Sequence, residues 1–218
     1  MSFKIAIDGP SGAGKSAIAK TLAQRLNYEY IDTGSLYRTI AYIATEIAQT
    51  DIVEEILQAC DEVTIGYEKG RVILDGSPLG DAIRTEAISQ KTSELSKDPA
   101  IRSYLLQLQR RLAEKGGTVM EGRDIGTVIL PDAEIKFFLT ASEEERARRR
   151  YLQRKELGDD VDLKTIQEDI HRRDLRDRTR EVAPLKQAED AIVIDSTNLE
   201  EDEVIEKMMG YVERANVL

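Results

Sequence analysis

The hydrophobic pattern of this chain alternates between short apolar runs and longer stretches in which apolar residues recur every three or four positions. Lys4–Asp8 and Tyr28–Asp32 are short runs of the kind that predict buried strands. Between them, Ile18, Leu22 and Leu26 recur at the spacing of one helix face. Strands separated by helices predict a parallel sheet with right-handed crossovers, and such sheets bind ligands at the carboxyl ends of their strands.

The same two patterns continue to the end of the chain. Further strands are predicted at Thr118–Glu121, Glu134–Leu139 and Ala191–Asp195. Helices are predicted over residues 36–47, 52–60, 81–96 and 100–114, from Ser142 to Gly158, from Leu163, and from Thr197. S-x-x-E at Ser142 and T-x-x-E at Thr197 both match a capping box. Cys60 lies on an apolar helix stripe and is expected to be a core residue.

One segment interrupts the alternation. Val63–Tyr67 and Arg71–Asp75 flank Glu68-Lys69-Gly70, which predicts a β-hairpin. We interpret this hairpin as part of an inserted subdomain. The predicted fold class is therefore α/β, a three-layer α/β/α core with a parallel sheet and a small β-containing insert.

The loop after the first strand carries a phosphate-binding motif. Residues 9–16, GPSGAGKS, match G-x-x-x-x-G-K-[ST] and connect a predicted strand to a predicted helix, as the motif requires. Glycines let backbone N–H groups surround a polyphosphate, and the helix N-terminus adds partial positive charge. Lys15 supplies a cation for the β- and γ-phosphates, and the Ser16 hydroxyl is a ligand for Mg²⁺. The motif predicts a nucleoside triphosphate and Mg²⁺ on a P-loop NTPase core.

The motif leaves the acceptor of the γ-phosphate open among three classes. A switch GTPase is disfavoured because neither N-K-x-D nor D-x-x-G occurs in the chain. A motor or remodelling ATPase has only a weak signal, the apolar strand that ends at Asp195. A kinase of a small hydroxyl or phosphate acceptor requires cations around both anions, and bidentate guanidinium groups hold phosphates best.

Composition bounds the number of domains, the binding partners and the cellular location of the protein. The 218 residues favour one domain, and 31 Lys+Arg against 41 Asp+Glu give a net charge of −10. That charge disfavours a nucleic-acid or anionic-membrane binder. Cys60 is the only cysteine, so no intrachain disulfide forms. A signal peptide and an apolar run of about 18 residues are both missing from the sequence, which favours a cytoplasmic protein.

Two arginine clusters stand out against this acidic background. Arg146, Arg149, Arg150 and Arg154 share one helix face, where like charges repel unless an anion neutralises them. We favour a mobile lid over phosphates to a solvated helix face.

The second cluster spans residues 171–180. Arg173, Asp177 and Arg180 share a face suited to a sugar and a base edge, and His171 is expected at the surface. Arg38 and Arg123 follow glycine turns at strand ends, where this type of sheet places its site.

Several strings are spread over nearly the whole chain. They are IDGPSGAGKS at Ile7–Ser16, DTGSLYR at Asp32–Arg38, IRTEAIS and SELS around Ser93, GRDIGTV at Gly122–Val128, RRDLRDRTREVAPL at Arg172–Leu185 and IDST at Ile194–Thr197. Together, and in this order, they resemble the bacterial cytidylate kinase family of nucleoside-monophosphate kinases. GRDIGTV with RRDLRDRTREVAPL is far more specific to this family than the P-loop motif alone.

The resemblance implies ATP-dependent phosphorylation of CMP and dCMP in pyrimidine nucleotide metabolism, with ATP and Mg²⁺. It implies catalytic roles for Lys15, Arg123 and Arg149. Metal contacts would come from Ser16 and, through water, Asp32. The residues implied to bind the donor are Gly9, Pro10, Ser11, Gly12, Ala13, Gly14, Lys15, Ser16 and Ala17. Those implied to bind the acceptor are Thr33, Tyr37, Arg38, Ser93, Arg102, Arg123, Asp124, Arg173, Asp177 and Arg180.

The chemistry of cytosine agrees with part of this set. Asp124 or Ser93 can accept from the N4 amino group, and Arg102 can donate to the ring acceptors. Uracil reverses the pattern at N3 and position 4, so mispaired buried groups would penalise it.

The resemblance also implies an organisation of the chain. It comprises a core of residues about 1–60, 116–145 and 163–218, a nucleoside-monophosphate-binding insert of about 61–100, and a helical lid of about 146–162. We expect a cytoplasmic monomer with no nucleic-acid or membrane partner. A kinase of another small acceptor, or a nucleotide-binding regulator without transfer activity, is the alternative.

Overall fold

The computed structural model describes residues 3–156 and 158–216. Within them, parallel strands form a central sheet. They are β1 (Lys4–Asp8), β2 (Glu29–Asp32), β6 (Thr118–Gly122), β7 (Ile135–Thr140) and β8 (Ile192–Asp195). Their order across the sheet is β2-β6-β1-β7-β8. The predicted parallel α/β core is confirmed.

Helices connect these strands and cover both faces of the sheet. They are α1 (Lys15–Leu26), α2 (Thr33–Tyr42), α3 (Val53–Glu62), α4 (Glu86–Leu95), α5 (Pro99–Ala113), α6 (Glu143–Glu156), α7 (Leu163–Thr179) and α8 (Glu201–Asn216). None of the helices in the described ranges is both long enough and apolar enough to cross a lipid bilayer.

Alternation along the strands divides the core into two layers. Ile5 and Ile7 of β1 pack in one cluster with Leu22 of α1 and Met208 of α8. Ala6, between them, faces the other cluster, which includes Leu105 of α5. Each sheet face is thus buried under helices, as a parallel sheet requires.

The predicted hairpin is present and is one strand larger than expected. Strands β3 (Ile65–Glu68), β4 (Arg71–Leu74) and the short β5 (Ser77–Pro78) form a separate antiparallel sheet. Val72 and Leu74 of β4 join the core cluster on the α5 side, which attaches this sheet to the body of the protein. The division into core, insert and lid remains a prediction.

Some predicted elements differ in their bounds. The helix predicted over residues 81–96 is a 3₁₀ turn at Gly80–Arg84 followed by α4, because the Thr85 hydroxyl accepts from the Ile88 N–H and starts a new helix. Residues 43–47 form a π-helical extension of α2 that the spacing of Ile43 and Ile47 did not distinguish from α-helix. Cys60 is buried, as expected, and burial raises the pKa of its thiol to about 12.

The two predicted capping boxes have different outcomes. At Ser142 the cap is confirmed and the full box is not: the Ser142 hydroxyl accepts from the Glu145 N–H at 3.2 Å, whereas the Glu145 carboxylate accepts from Arg148 and Arg149 and not from the Ser142 N–H. The prediction at Thr197 is wrong, since α8 begins only at Glu201. The Thr197 hydroxyl instead donates to Asp195 at 2.5 Å and accepts from the Ser142 N–H at 2.9 Å.

Candidate active site

The carboxyl ends of three neighbouring strands bring the sequence motifs together. In register, Asp8 of β1 lies beside Gly122 of β6, and Asp32 of β2 lies beside Glu121. The loops that follow these residues therefore emerge at one edge of the sheet.

The loop after β1 has the geometry of a phosphate-binding loop. At Gly9 a Cβ atom would lie 2.0 Å from the Leu139 carbonyl oxygen, so the close approach to β7 requires glycine. Gly12 and Gly14 have φ angles of 77° and 86°, in the left-handed region. Gly14 is the N-cap of α1, which directs the helix N-terminus at the loop.

Lys15 is enclosed by this loop. Its side chain is buried, with 5% of the residue exposed, and its ammonium group donates to the Pro10 carbonyl oxygen at 2.8 Å. Burial and then the charge of Arg123 lower the pKa of Lys15 to about 7, and the nearby carboxylate of Glu121 partly opposes this shift. Lys15 and Arg123, from separate motifs, are therefore close enough for their charges to interact.

A buried carboxylate shapes the turn after β6. Asp8 accepts from the N–H groups of Ile125 at 2.8 Å and Gly126 at 2.7 Å. Burial raises the pKa of Asp8 to about 6, and these two hydrogen bonds oppose the rise. They hold the backbone next to Arg123 and Asp124. The sequence signal for this role was a carboxylate at the end of a strand, which we interpreted only as a strand boundary.

Asp124 lies at the centre of an arginine–carboxylate triad. One oxygen accepts from Arg102 at 2.6 Å and the other from Arg180 at 3.1 Å. The guanidinium of Arg102 stacks over the Tyr37 ring, 5.6 Å from its centroid. A cavity of about 210 Å³ adjoins the triad and is bordered by Tyr37, Arg102 and Asp124. Four residues predicted to bind the acceptor are thus brought together.

Ser93, which is also predicted to read the base, contacts another arginine. Its hydroxyl accepts a hydrogen bond from the guanidinium of Arg176, a residue that the sequence analysis did not assign. Arg176 lies on α7, one turn from Arg173 and next to Asp177. The helix therefore connects the predicted base-reading residues with those predicted to bind sugar and phosphate.

A further group of cations consists of Arg38, Arg123 and Arg173. Arg123 donates to Asp177 at 2.8 Å, and Arg38 lies 3.9 Å from Asp32. Across the described part of the chain, no carboxylate lies within 4 Å of the guanidinium of Arg173. Crowding by the surrounding protein and then the charge of Arg123 lower the pKa of Arg173. The cations repel one another in the absence of an anion.

Three of the four arginines on the face of the basic helix pair with carboxylates of the protein, and the lid over phosphates stays a prediction. Arg146 pairs with Asp174 at 2.5 Å, Arg149 with Glu145 at 2.8 Å, and Arg154 with Asp159. Carboxylates of the protein itself therefore neutralise most of this face.

Arg149 has further bonds to both the hydroxyl and the carbonyl of Ser196, at 3.0 and 2.5 Å. An added Cβ at Gly14 would lie 3.9 Å from the Arg149 guanidinium, so this arginine remains next to the P-loop.

Arg150 is the arginine of this face that keeps no carboxylate within 4 Å among the described residues. Its guanidinium donates to the Gln153 side chain at 2.7 Å. Burial, then the charges of Arg154 and Arg38, lower the pKa of Arg150, so Arg150 lies close enough to Arg38 for their charges to interact. Arg149 is the arginine that the resemblance implies for the lid, and Arg150 has no predicted role of its own.

Glu121 of β6 and Thr33, the first residue of α2, contact each other near the P-loop. Glu121 is buried, and it accepts from the Tyr30 hydroxyl at 2.8 Å. Burial and then the charge of Asp32 raise the pKa of Glu121, while Lys15 and a hydrogen bond from Ser16 oppose the rise. The Thr33 hydroxyl donates to the Glu121 carbonyl at 2.8 Å, so this predicted substrate residue already has a partner. The sequence analysis missed Glu121.

The fold and the glycine loop at the carboxyl end of β1 define a P-loop nucleotide-binding protein. Two solved structures are similar over 98% of this chain and 99% of theirs. A shikimate kinase from Bacteroides thetaiotaomicron has a TM-score of 0.53 at 13% identity. An uncharacterized protein from Eubacterium ventriosum has a TM-score of 0.54 at 16% identity. At these identities the likeness concerns the fold.

Sequence comparison is more specific. The family model for cytidylate kinase matches residues 5–214. Cytidylate kinases of Bacillus thuringiensis (strain Al Hakam) and Bacillus cereus (strain AH187) are 46% identical to this chain over 216 residues, covering 96% of both proteins. The chain therefore belongs to the cytidylate kinase family, phosphotransferases that phosphorylate CMP with a nucleoside triphosphate.

Proposed function

We propose that this enzyme transfers the γ-phosphate of Mg²⁺-ATP from the P-loop to the phosphate of CMP or dCMP. The observation that carries the proposal is the convergence of Lys15, Arg123 and Arg173, from three distant motifs, on one space beside the Asp124 triad. Two facing phosphates supply the negative charge that these cations lack.

On the donor side, residues 9–17 enclose the triphosphate. Lys15 serves the β- and γ-phosphates, and α1 contributes its N-terminus. The Ser16 hydroxyl and the carboxylates of Asp32 and Glu121 form an oxygen donor set of the kind that Mg²⁺ prefers. That the Asp32 charge raises the pKa of Glu121 supports a cation there. Ser16 would hold Mg²⁺ directly and the carboxylates through water, and the ion would neutralise charge on the transferred group.

On the acceptor side, the buried triad reads the base. Asp124 accepts from the cytosine N4 amino group and Arg102 donates to the ring acceptors, with Ser93 at the same edge. Arg38 and Arg123 hold the acceptor phosphate. Arg173 and Asp177 hold the ribose, and Arg180 lies at the sugar or base edge.

The chemistry follows from this placement. An anionic oxygen of the CMP phosphate attacks the γ-phosphorus, a P–O bond forms, and the bond to the β–γ bridging oxygen breaks to release ADP. The attacking oxygen carries no proton, so no general base is required. The work of the protein is to align the two groups and to stabilise charge with Lys15, Arg123 and Arg149.

A panel of acceptors tests this function. With Mg²⁺-ATP as donor, we expect CMP and dCMP to give the highest kcat/KM, with UMP lower by a factor of ten or more and AMP and GMP near background. A coupled assay for ADP release measures each rate. Equal rates for all five nucleotides, or ADP release without an acceptor, would contradict the proposal and favour the alternative classes.

Replacing Asp124 with asparagine is expected to reduce base discrimination. Its amide NH₂ can donate to the uracil carbonyl at position 4, and the negative charge between Arg102 and Arg180 is lost. We expect kcat/KM for CMP to fall about 100-fold and the CMP/UMP ratio at least tenfold. The exposed Asp61→Asn provides the control. An unchanged ratio in Asp124→Asn would show that another group reads the base.

Donor binding is expected to take up a proton above neutral pH. Free Lys15 has a pKa lowered to about 7, so it is mostly neutral at pH 8. Phosphate oxygens favour the charged ammonium, raise its pKa and draw a proton from solvent. Titration calorimetry with Mg²⁺-ADP at pH 8 in buffers of different ionisation enthalpy measures this uptake. We expect roughly one proton per nucleotide and weaker binding as the pH rises from 7 to 9; zero uptake would contradict the assignment.

The remaining expectations stay predictions. They are a monomeric state, a cytoplasmic location and the lack of nucleic-acid and membrane partners. Light scattering at the chain mass of 24.5 kDa tests the first of them.

A further inference from the structure

One residue of the P-loop is held through both of its backbone groups by side chains from two other helices. The Ser11 N–H donates to Asp174 Oδ1 of α7 at 3.1 Å, and Arg146 Nη1 of α6 donates to the Ser11 carbonyl at 2.8 Å. The ring closes through Arg146 Nη1 and Asp174 Oδ2 at 2.5 Å. Arg146 Nε also donates to the Ala141 carbonyl at 3.0 Å.

This ion pair is removed from solvent. Arg146 is 4% exposed and Asp174 is 6% exposed. Burying two charges carries a desolvation cost that is offset only when geometry and hydrogen bonding are good. Here each partner has further bonds besides the ion pair itself, and these bonds go to the P-loop or to Ala141, the residue after β7. An ordinary packing contact between α6 and α7 would not require these buried charges.

The pair also supports the glycines that follow Ser11. A Cβ at Gly12 would lie 3.2 Å from Arg146 Cβ and 3.6 Å from Ile170 of α7, so both helices pack directly against the loop. Gly12 has a φ of 77°, a conformation the loop needs to direct its amides inward. Ser11 is thus held on one side and Gly12 is packed on the other, so α6 and α7 together fix the path of the loop.

We infer that Arg146 and Asp174 are a positioning pair that shapes the P-loop for the donor nucleotide. Asp174 lies next to Arg173 and three residues before Asp177, the partner of Arg123. One face of α7 therefore sets the donor loop through Asp174, and its neighbours serve the acceptor side. The first residue of the predicted lid, Arg146, is attached to the P-loop.

The test compares how a substitution in this pair changes the affinity for the donor and the affinity for the acceptor. We expect Asp174→Ala to weaken Mg²⁺-ADP binding, measured by calorimetry, by a factor of ten or more. CMP binding in the absence of donor should change less than threefold, because Arg173, Asp177 and Arg123 are left in place. Asp169→Asn, on the same helix in an exposed pair with Arg172, is the matched control and should leave both affinities unchanged.

Conservative variants keep the test decisive if Asp174→Ala unfolds. Asp174→Asn retains an acceptor for the Ser11 N–H and loses the ion pair, so we expect a smaller donor defect of about three- to tenfold. Arg146→Lys retains a charge for Asp174 and cannot also reach Ser11, so its urea unfolding midpoint should stay near wild type while donor binding weakens. A folded variant with unchanged donor affinity, or with equal losses for donor and acceptor, would overturn the inference.

The inference rests on the donor occupying the P-loop, and the two can fail separately. The acceptor panel with the wild-type enzyme tests the proposed reaction. The donor–acceptor split in the variants tests the positioning pair. A double-mutant cycle adds a third readout, since Arg146→Ala with Asp174→Ala should weaken donor binding no more than the worse single change.

Discussion

Replacing Lys15 with methionine is expected to lower kcat by a factor of 10³ or more. Lys15 is the cation enclosed by the P-loop, with its ammonium group 2.8 Å from the Pro10 carbonyl and 5% of the residue exposed. In this water-poor space the positive charge of Lys15 stabilises the transferred phosphate more strongly than it would in bulk water. A thousandfold loss corresponds to about 4 kcal/mol of transition-state stabilisation. The coupled assay with saturating ATP and CMP measures it.

The same substitution should leave the fold intact, which separates catalysis from stability. Methionine matches the length of the buried side chain, and burial disfavours the charge on Lys15. We therefore expect the urea midpoint of Lys15→Met to equal or exceed that of the wild type. Lys20→Met, an exposed position on the same helix, should retain full activity. A Lys15→Met enzyme within tenfold of wild-type kcat would remove Lys15 from the mechanism.

The sequence predicted the strand, the glycine loop and the helix after it well because their determinants are local. The strand, the glycine loop and the helix occupy residues 4–26 without a break, and each has a pattern that reflects its own backbone geometry. Gly9 and Gly14 illustrate this, since one permits a close approach to β7 and the other a left-handed N-cap. Such requirements can be inferred without knowledge of the rest of the chain.

The residues that support the site escaped prediction because their partners are distant in the chain. Asp8 holds Ile125 and Gly126, 117 and 118 residues away, and Asp174 holds Ser11 across 163 residues. Asp8 looked like the end of a strand, and Asp174 like one charge among many. A buried carboxylate has no local signature that distinguishes it from an exposed one; only the packed structure shows which N–H groups it faces.

The ion pairs of the basic helix escaped prediction for a different reason, because two of the neutralising carboxylates lie close to their arginines in the sequence. Glu145 lies four residues before Arg149, and Asp159 lies five residues after Arg154. Counting the carboxylates one helical turn away would have predicted the pair of Glu145 and Arg149, whereas Asp159 lies beyond the end of α6. Arg150 is the arginine of this face without such a neighbouring carboxylate among the described residues. Its pKa is lowered in part by the charge of Arg38.

The two capping boxes show the limit of motifs for helix ends. Ser142 and Thr197 match the same pattern, yet only Ser142 accepts a hydrogen bond from the residue three positions later. The Thr197 hydroxyl is taken by Asp195 and by the Ser142 backbone, which ties the start of α6 to the end of β8. The hydrogen bonds of the Thr197 hydroxyl to Asp195 and Ser142 form in place of a local helix cap, and the sequence alone does not show which of the two arrangements is more stable.

Arg123 gives the second large effect, because it lies where the donor and acceptor sides meet. Its Nε donates to Asp177 at 2.8 Å, and its charge lowers the pKa values of both Lys15 and Arg173. Arg123→Gln keeps a hydrogen-bond donor for Asp177 and removes the charge. We expect kcat to fall about 10³-fold, or about 4 kcal/mol, in the coupled assay. Arg123→Lys should recover only part of this, since an ammonium lacks the planar fork that grips a phosphate.

A second readout distinguishes loss of this charge from general disruption. Because Arg123 lowers the pKa of Lys15, its removal should raise that pKa and keep Lys15 protonated at pH 8. Proton uptake on binding Mg²⁺-ADP should therefore shrink in Arg123→Gln and persist in Arg172→Gln, an exposed control on α7. If Arg123→Gln loses turnover while its proton uptake stays at the wild-type value, Arg123 does not share the space around Lys15. The convergence of cations on which the proposed reaction depends would then be wrong.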